Sequence, residues 1–171
     1  MISSKTLNID NPRLTCRLKG YNKFSPKRII LDKNLDIKLT SYIFKSAKKG
    51  NTILFYNSSN TKKIKILKKK GLTLIKTKLT GEGLLDLKIV LKKLFTLGTR
   101  SLLVEGGDKI SKNLIKNRLI DTFYLFQSPK ILRVNKINQG FTSFGILNGK
   151  YNKVSKITSK LAKDNITIYK R

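Results

Sequence analysis

Short apolar runs alternate along this chain with longer stretches in which apolar residues recur every three or four positions. An uninterrupted apolar run of four or five suits a strand buried on both faces, and the wider spacing suits an amphipathic helix. Read this way, Arg28-Ile29-Ile30-Leu31-Asp32 is a strand closed by an acid. Thr52 to Tyr56 is a second strand, ended by Asn57-Ser58-Ser59-Asn60, and Leu72 to Ile75 is a third. Lys62 to Lys70 is a helix stopped by Gly71, and Leu84 to Leu97 is a helix with Leu84, Leu87, Leu91 and Leu94 on one face, ended by Gly98. Leu39 to Ala47 reads as a helix or a loop-rich connection. Leu102 to Val104 is a further strand, Ile110 to Leu119 a helix, and Thr122 to Phe126 a strand closed by Ser128-Pro129. Such alternation predicts an α/β fold, a mostly parallel sheet flanked by helices. After Lys136 the pattern changes: 138–151 is rich in Gly, Asn and Ser and reads as a long loop. The segment 153–171 reads as an antiparallel hairpin turning near Ala162-Lys163-Asp164-Asn165. No internal repeat or domain boundary is visible.

The most informative local pattern is Arg100-Ser101-Leu102-Leu103-Val104-Glu105-Gly106-Gly107, followed by an amphipathic stretch from Lys109 to Leu119. Strand, glycine turn and helix in that order gather backbone N–H groups and the positive end of a helix dipole at one point, which suits a phosphate. Glu105 stands at the carboxyl end of the strand, where open α/β sheets take their ligands. An acid beside an anion cradle points to a ligand with a phosphate at one end and hydroxyls or amines at the other. The alternative is local: Glu105 capping nearby amides, and the glycines only turning the chain.

Composition narrows the chemistry. The 171 residues suffice for a domain with a real core, and 39% hydrophobic residues is too many for a disordered chain. No apolar run is long enough to span a membrane and no leader resembles a signal peptide, so the expected location is cytoplasmic. Cys16 is the single cysteine, which excludes an internal disulfide, and there is no His. A zinc site built on nitrogen and sulfur is thereby disfavoured, no metal is expected, and any proton transfer falls to Asp, Glu, Lys, Tyr or water. The charge is extreme, 38 Lys+Arg against 9 Asp+Glu, net +29. One reading is a polyanion partner such as RNA. The other is compositional drift, since the excess is mostly Lys, is spread along the chain, and accompanies abundant Asn and Ile. The Lys62–Lys70 run has no interleaved aromatic to stack on bases, so it reads as a solvated helix face.

A second cluster completes a pattern: Thr6-Leu7-Asn8-Ile9-Asp10-Asn11-Pro12-Arg13-Leu14-Thr15-Cys16-Arg17, with Asp-Asn-Pro a strong turn signal. Taken with Ile30-Leu31-Asp32, Asp86-Leu87, Leu102 to Gly107, Leu119-Ile120-Asp121-Thr122 and Ser128-Pro129-Lys130-Ile131-Leu132, it resembles the reductase domain of the bifunctional riboflavin-biosynthesis deaminase/reductase family, RibD. The resemblance covers residues 2 to about 132, with a looser tail. It implies a dihydrofolate-reductase-like fold and an NADPH-dependent reduction of 5-amino-6-(5-phosphoribosylamino)uracil, whose opened ribose becomes a ribityl chain. By position, it implies cofactor contacts for Thr6, Asp10 and Lys33 and a pyrophosphate cradle over Gly107, Asp108, Lys109, Ile110, Ser111, Lys112 and Asn113. It implies substrate contacts for Leu14, Arg17 and Glu105, Arg17 being suited to the substrate phosphate by its forked donors. Asp10 and Glu105 are the carboxylates it leaves as catalytic candidates, and it suggests a homodimer.

The sequence departs from the family at Lys33, where Ser is frequent, and at Arg133, where Gly is usual. The family's reductase domain also begins upstream of the position matched by Met1. The expectation is therefore a single reductase-like domain over 1–171 without its first strand and helix and without the zinc deaminase domain. Two other readings stand beside it: a basic RNA-binding protein, motivated by charge, and an inactive remnant of the reductase, motivated by where Met1 falls.

Overall fold

In the computed structural model the described residues are 1–129, 141, 144–147, 149–158 and 164–171. They fall into two compact units, Met1–Gly106 and Gly107–Arg171. The first holds β1 (Ile2–Ser3), α1 (Ser4–Asp10), β2 (Arg28–Leu31), α2 (Tyr42–Lys45), β3 (Thr52–Tyr56), α3 (Thr61–Lys69), β4 (Thr73–Lys76) and α4 (Leu87–Thr96). Its four strands form one parallel sheet in the order β1-β2-β3-β4.

Every residue of β2 and β3 is buried, as expected for uninterrupted apolar runs in a sheet covered on both faces. Ile30 pairs with Leu54, and both are fully buried in a core with Ile2, Leu7, Ile37, Ile43 and Leu67. β4 is an outer strand and exposes Thr73 and Lys76, polar positions that discourage further pairing. The helices start at side-chain caps: Ser3 Oγ accepts from Thr6 N, Ser41 Oγ from Phe44 N, Asn60 Oδ1 from Lys63 N, and Asp86 Oδ1 from Lys88 N and Ile89 N. Gly71 ends α3 at φ +98°, a backbone that glycine adopts without strain. A Cβ there would also stand 3.0 Å from Lys49 N, so the glycine permits close backbone contact as well.

Asp32 terminates β2 in the core. Its two carboxylate oxygens accept from Asp36 N and Ile37 N, each at 2.8 Å, and pin a loop in which Leu35 is left-handed at φ 64°. The acid that closes the strand motif is thus a loop anchor. Burial pushes its pKa up; the two backbone bonds and a bond from Ser4 oppose that shift.

The second unit comprises α5 (Asp108–Lys116), β5 (Thr122–Gln127), β6 (Lys153–Thr158) and β7 (Asn165–Lys170). The three strands form an antiparallel sheet with β7 in the middle. Phe123 packs against Phe141 (5.2 Å between centroids) and Tyr169 (6.3 Å), and Tyr151 meets Tyr169 at 5.9 Å.

Three expectations are corrected. The strand over Leu102–Val104 is not formed: Met1 N donates to Leu103 O and Glu105 N to Met1 O, so a single residue pairs with this segment and no ladder builds. The helix expected from Leu84 starts at Leu87, because Asp86 caps it and Leu85 bridges back to Leu79. Thr122–Gln127 joins the antiparallel sheet rather than the parallel one. α1 was not foreseen; only Leu7 is buried in it, so it leaves no apolar period. The expected turn residues Ala162 and Lys163, most of the 138–151 loop and the motif residues 130–133 lie outside the described residues.

Asp32→Asn keeps one acceptor and turns an amide N–H₂ toward a backbone N–H. Urea unfolding at neutral pH should show a loss of about 1–3 kcal/mol. Because the folded pKa is raised, the native state binds the extra proton first. The stability of wild type relative to Asp32→Asn should rise as pH falls through that folded pKa toward 3.8, and be flat well above the folded pKa.

Candidate functional site

A cavity of about 830 Å³ opens in the first unit. Its walls are the loop 11–17, the segment 26–29 that enters β2, the turn 97–99 after α4, and the stretch 101–105 with Met1.

The loop 11–17 is shaped by two left-handed residues, Asn11 at φ 43° and Leu14 at φ 50°. Asn11 tolerates this backbone and ends α1, with its N–H donating to Leu7 O. Its side-chain oxygen accepts from Tyr42 N at 2.7 Å, and the Arg13 guanidinium lies 5.3 Å from the Tyr42 ring centre. At the far end, Cys16 N donates to Ser25 Oγ at 3.1 Å. The loop is therefore held from both sides.

Arg28 is buried, and neutral groups surround its guanidinium. Nε donates to Thr52 Oγ1, Nη1 to Ser46 Oγ, and Nη2 to Ser46 O and Asn51 Oδ1. Burial lowers its proton affinity, yet an arginine stays a cation in protein. Glu105 is placed by its own N–H on Met1 O. Its carboxylate is exposed, makes no hydrogen bond or ion pair among the described residues, and is the one carboxylate lining the cavity.

Leu14 and Arg17 from one motif and Glu105 from another thus line one cavity. Asp10 does not line it; Asn11 does, while Asp10 sits exposed in the last turn of α1. The Thr6 hydroxyl lies 3.1 Å from Ser3 Oγ, and Lys33 Nζ donates to Gly83 O at 3.1 Å. In the second unit Gly107 is the N-cap of α5, and Asp108 to Asn113 form its first turns. No side chain caps this helix start, and a Cβ on Gly107 would meet nothing within 4 Å. The sequence reading did not single out Arg13 and Lys27, which line the cavity, or Ser25, which accepts from Cys16 N beside it. The signal available was Ser25-Pro26-Lys27-Arg28, a basic pair entering a strand. Among the described residues no group of three or more His, Cys, Asp or Glu could hold a metal ion, and no helix is long and apolar enough to cross a membrane.

The fold matches solved structures of one class. RibD from Acinetobacter baumannii superposes over 99% of this chain and 45% of its own length, with a TM-score of 0.71 at 18% identity. A pyrimidine reductase-like protein from Corynebacterium diphtheriae superposes over 99% and 73%, with a TM-score of 0.73 at 15% identity. The class is therefore the α/β fold of the RibD reductases. Residues 1–161 match the RibD C-terminal domain family, and the chain belongs to that family. A RibD of Aquifex aeolicus is 33% identical over 132 residues, 77% of this chain and 35% of that protein. The same organism's 2,5-diamino-6-ribosylamino-4(3H)-pyrimidinone 5′-phosphate reductase is 29% identical over 133 residues, 77% of this chain and 57% of that protein. The chain thus spans a third to just over half the length of these curated relatives.

Replacing Arg28 by Lys exchanges a fork that reaches three residues for a point charge. It should cost about 1–3 kcal/mol in chemical unfolding, with the circular-dichroism spectrum retained.

Proposed function

We propose that this chain is an NADPH-dependent reductase of riboflavin biosynthesis, reducing the ribosyl chain of 5-amino-6-(5-phosphoribosylamino)uracil to the ribityl form. The observation that carries the reading is the meeting of Leu14, Arg17 and Glu105 in one cavity, within a chain of the RibD C-terminal domain family. The name of the Aquifex aeolicus reductase supports a ribosylated aminopyrimidine 5′-phosphate as the substrate class. On this reading residues 1–171 act as one reductase domain, working as a cytoplasmic homodimer. The charge excess adds only nonspecific attraction for nucleic acid.

Leu14 offers the base an apolar wall. Arg17 binds the substrate phosphate with its forked donors. Glu105, exposed, accepts hydrogen bonds from the ribose hydroxyls and so fixes which face of C1′ is presented. With no His in the chain, Glu105 is the cavity carboxylate available to hold or move a proton; Asp10, which does not line the cavity, is a catalytic candidate by the family resemblance alone.

The residues present fit a nicotinamide dinucleotide. α5 starts without a side-chain cap, and open space lies where a Cβ of Gly107 would stand, so a pyrophosphate can approach the amides of Gly107 to Asn113. Lys109 and Lys112 add positive charge to the same turns. In the first unit, Thr6, Asp10 and Lys33 are proposed as cofactor contacts on the family resemblance. When bound, the cofactor supplies the hydride, and the chain supplies orientation and charge.

NADPH fluorescence titration of the full chain at physiological salt tests this. Saturable binding should weaken at least tenfold in Gly107→Asp, which puts a carboxylate at the cradle. Glu105→Gln should leave cofactor affinity within about threefold while lowering turnover roughly a hundredfold. Binding indifferent to Gly107→Asp and abolished by salt alone would show a nonspecific polycation.

A further inference from the structure

Four cationic side chains belong to residues lining the cavity: Arg13, Arg17, Lys27 and Arg28. Two are already occupied. Arg13 lies over the Tyr42 ring, and Arg28 gives its donors to Thr52, Ser46 and Asn51. Arg17 and Lys27 are exposed, and neither has an acceptor or an acidic partner among the described residues.

These two residues stand on different loops that one hydroxyl ties together. Ser25 Oγ accepts from Cys16 N at 3.1 Å and donates to Asn22 O at 2.8 Å, so both its functions are used and its orientation is fixed. Arg17 follows Cys16 directly. Lys27 follows Ser25 across Pro26, whose ring fixes φ and stiffens the step between them. The tie therefore brings the Arg17 loop and the Lys27 segment to the same cavity wall. Glu105, on the stretch 101–105, supplies the cavity's carboxylate.

We propose that Lys27 and Arg17 are the two arms of a phosphate clamp, with Ser25 as the positioning residue that holds them in register. The proposal rests on the reductase reading and assigns Lys27 and Ser25 to it. A phosphate monoester carries roughly −1.5 to −2 charge at pH 7, more than one arginine balances. Arg17 offers a planar fork, and Lys27 offers a compact point charge that can follow the remaining oxygen. The ligand end away from the clamp carries hydroxyls for Glu105. The clamp thereby selects phosphorylated over dephosphorylated ribosides.

The test is calorimetric titration of the full chain with ribose 5-phosphate and with ribose, at fixed salt. Wild type should bind the phosphate ester and not the free sugar. Lys27→Gln and Arg17→Gln should each weaken ribose 5-phosphate about tenfold. Lys23→Gln, a neighbouring exposed lysine over the Phe24 ring, should leave it unchanged. Ser25→Ala should weaken it severalfold, with Ser25→Thr restoring it; a merely structural role would change thermal stability without that rescue. Lys27→Gln behaving like Lys23→Gln would overturn the clamp, and intact Gly107-dependent NADPH binding would then leave the reductase reading standing. Ribose 5-phosphate bound through Lys27 and Arg17 by a chain that takes up no NADPH would uphold the clamp and remove the reductase reading.

Discussion

Two charges buried at opposite ends of one strand constrain the first unit. β2 carries Arg28 at its start and Asp32 immediately after its end, and both are nearly or wholly inaccessible. Neither neutralises the other. Arg28 spends its donors on Thr52, Ser46 and Asn51, and Asp32 spends its acceptors on two backbone amides and the Ser4 side chain. An unpaired buried charge costs several kcal/mol unless dipoles replace the lost water. Each end of β2 thus requires its surroundings to be complete. The α2 end and the 46–52 turn must close on Arg28, and the 32–37 loop must close on Asp32. The cavity wall at 26–29 inherits its position from the first of these requirements.

Much of the parallel sheet is legible in the sequence because its strands are buried on both faces. Arg28–Leu31 and Thr52–Tyr56 announce themselves as unbroken apolar runs, and Gly71 and Asp86 mark helix boundaries through backbone freedom and capping. α1 is silent because a seven-residue helix burying only Leu7 has no period to read. The Leu102–Val104 stretch misleads for the opposite reason. Its apolar residues suit a strand, yet whether a strand forms depends on a neighbour's length, which local pattern does not encode. The same holds for Thr122–Gln127, whose partners, β6 and β7, are decided by pairing and not by composition.

Site residues divide along a similar line. Leu14, Arg17 and Glu105 stand out by motif, and they line one cavity. Lys27 and Ser25 carry no motif; the hydrogen bond from Cys16 N to Ser25 Oγ, between positions nine residues apart, is visible only in three dimensions. Charge makes such residues harder to see. From Ile37 to Gly81 there is no acidic residue, so a lysine in this chain is a poor signal until its neighbours are known. What distinguishes Lys27 is its setting, lining a cavity in which Arg13 and Arg28 are already engaged and Arg17 is not.

Cys16 has a further consequence. Its backbone N–H holds the tie to Ser25, its residue lines the cavity, and its sulfur is the chain's single thiol. The cavity wall therefore includes the chain's one cysteine. An occupant that covers this residue would slow its alkylation, so occupancy becomes a reaction rate that can be timed, with no label added and no other thiol in the chain to confuse the reading.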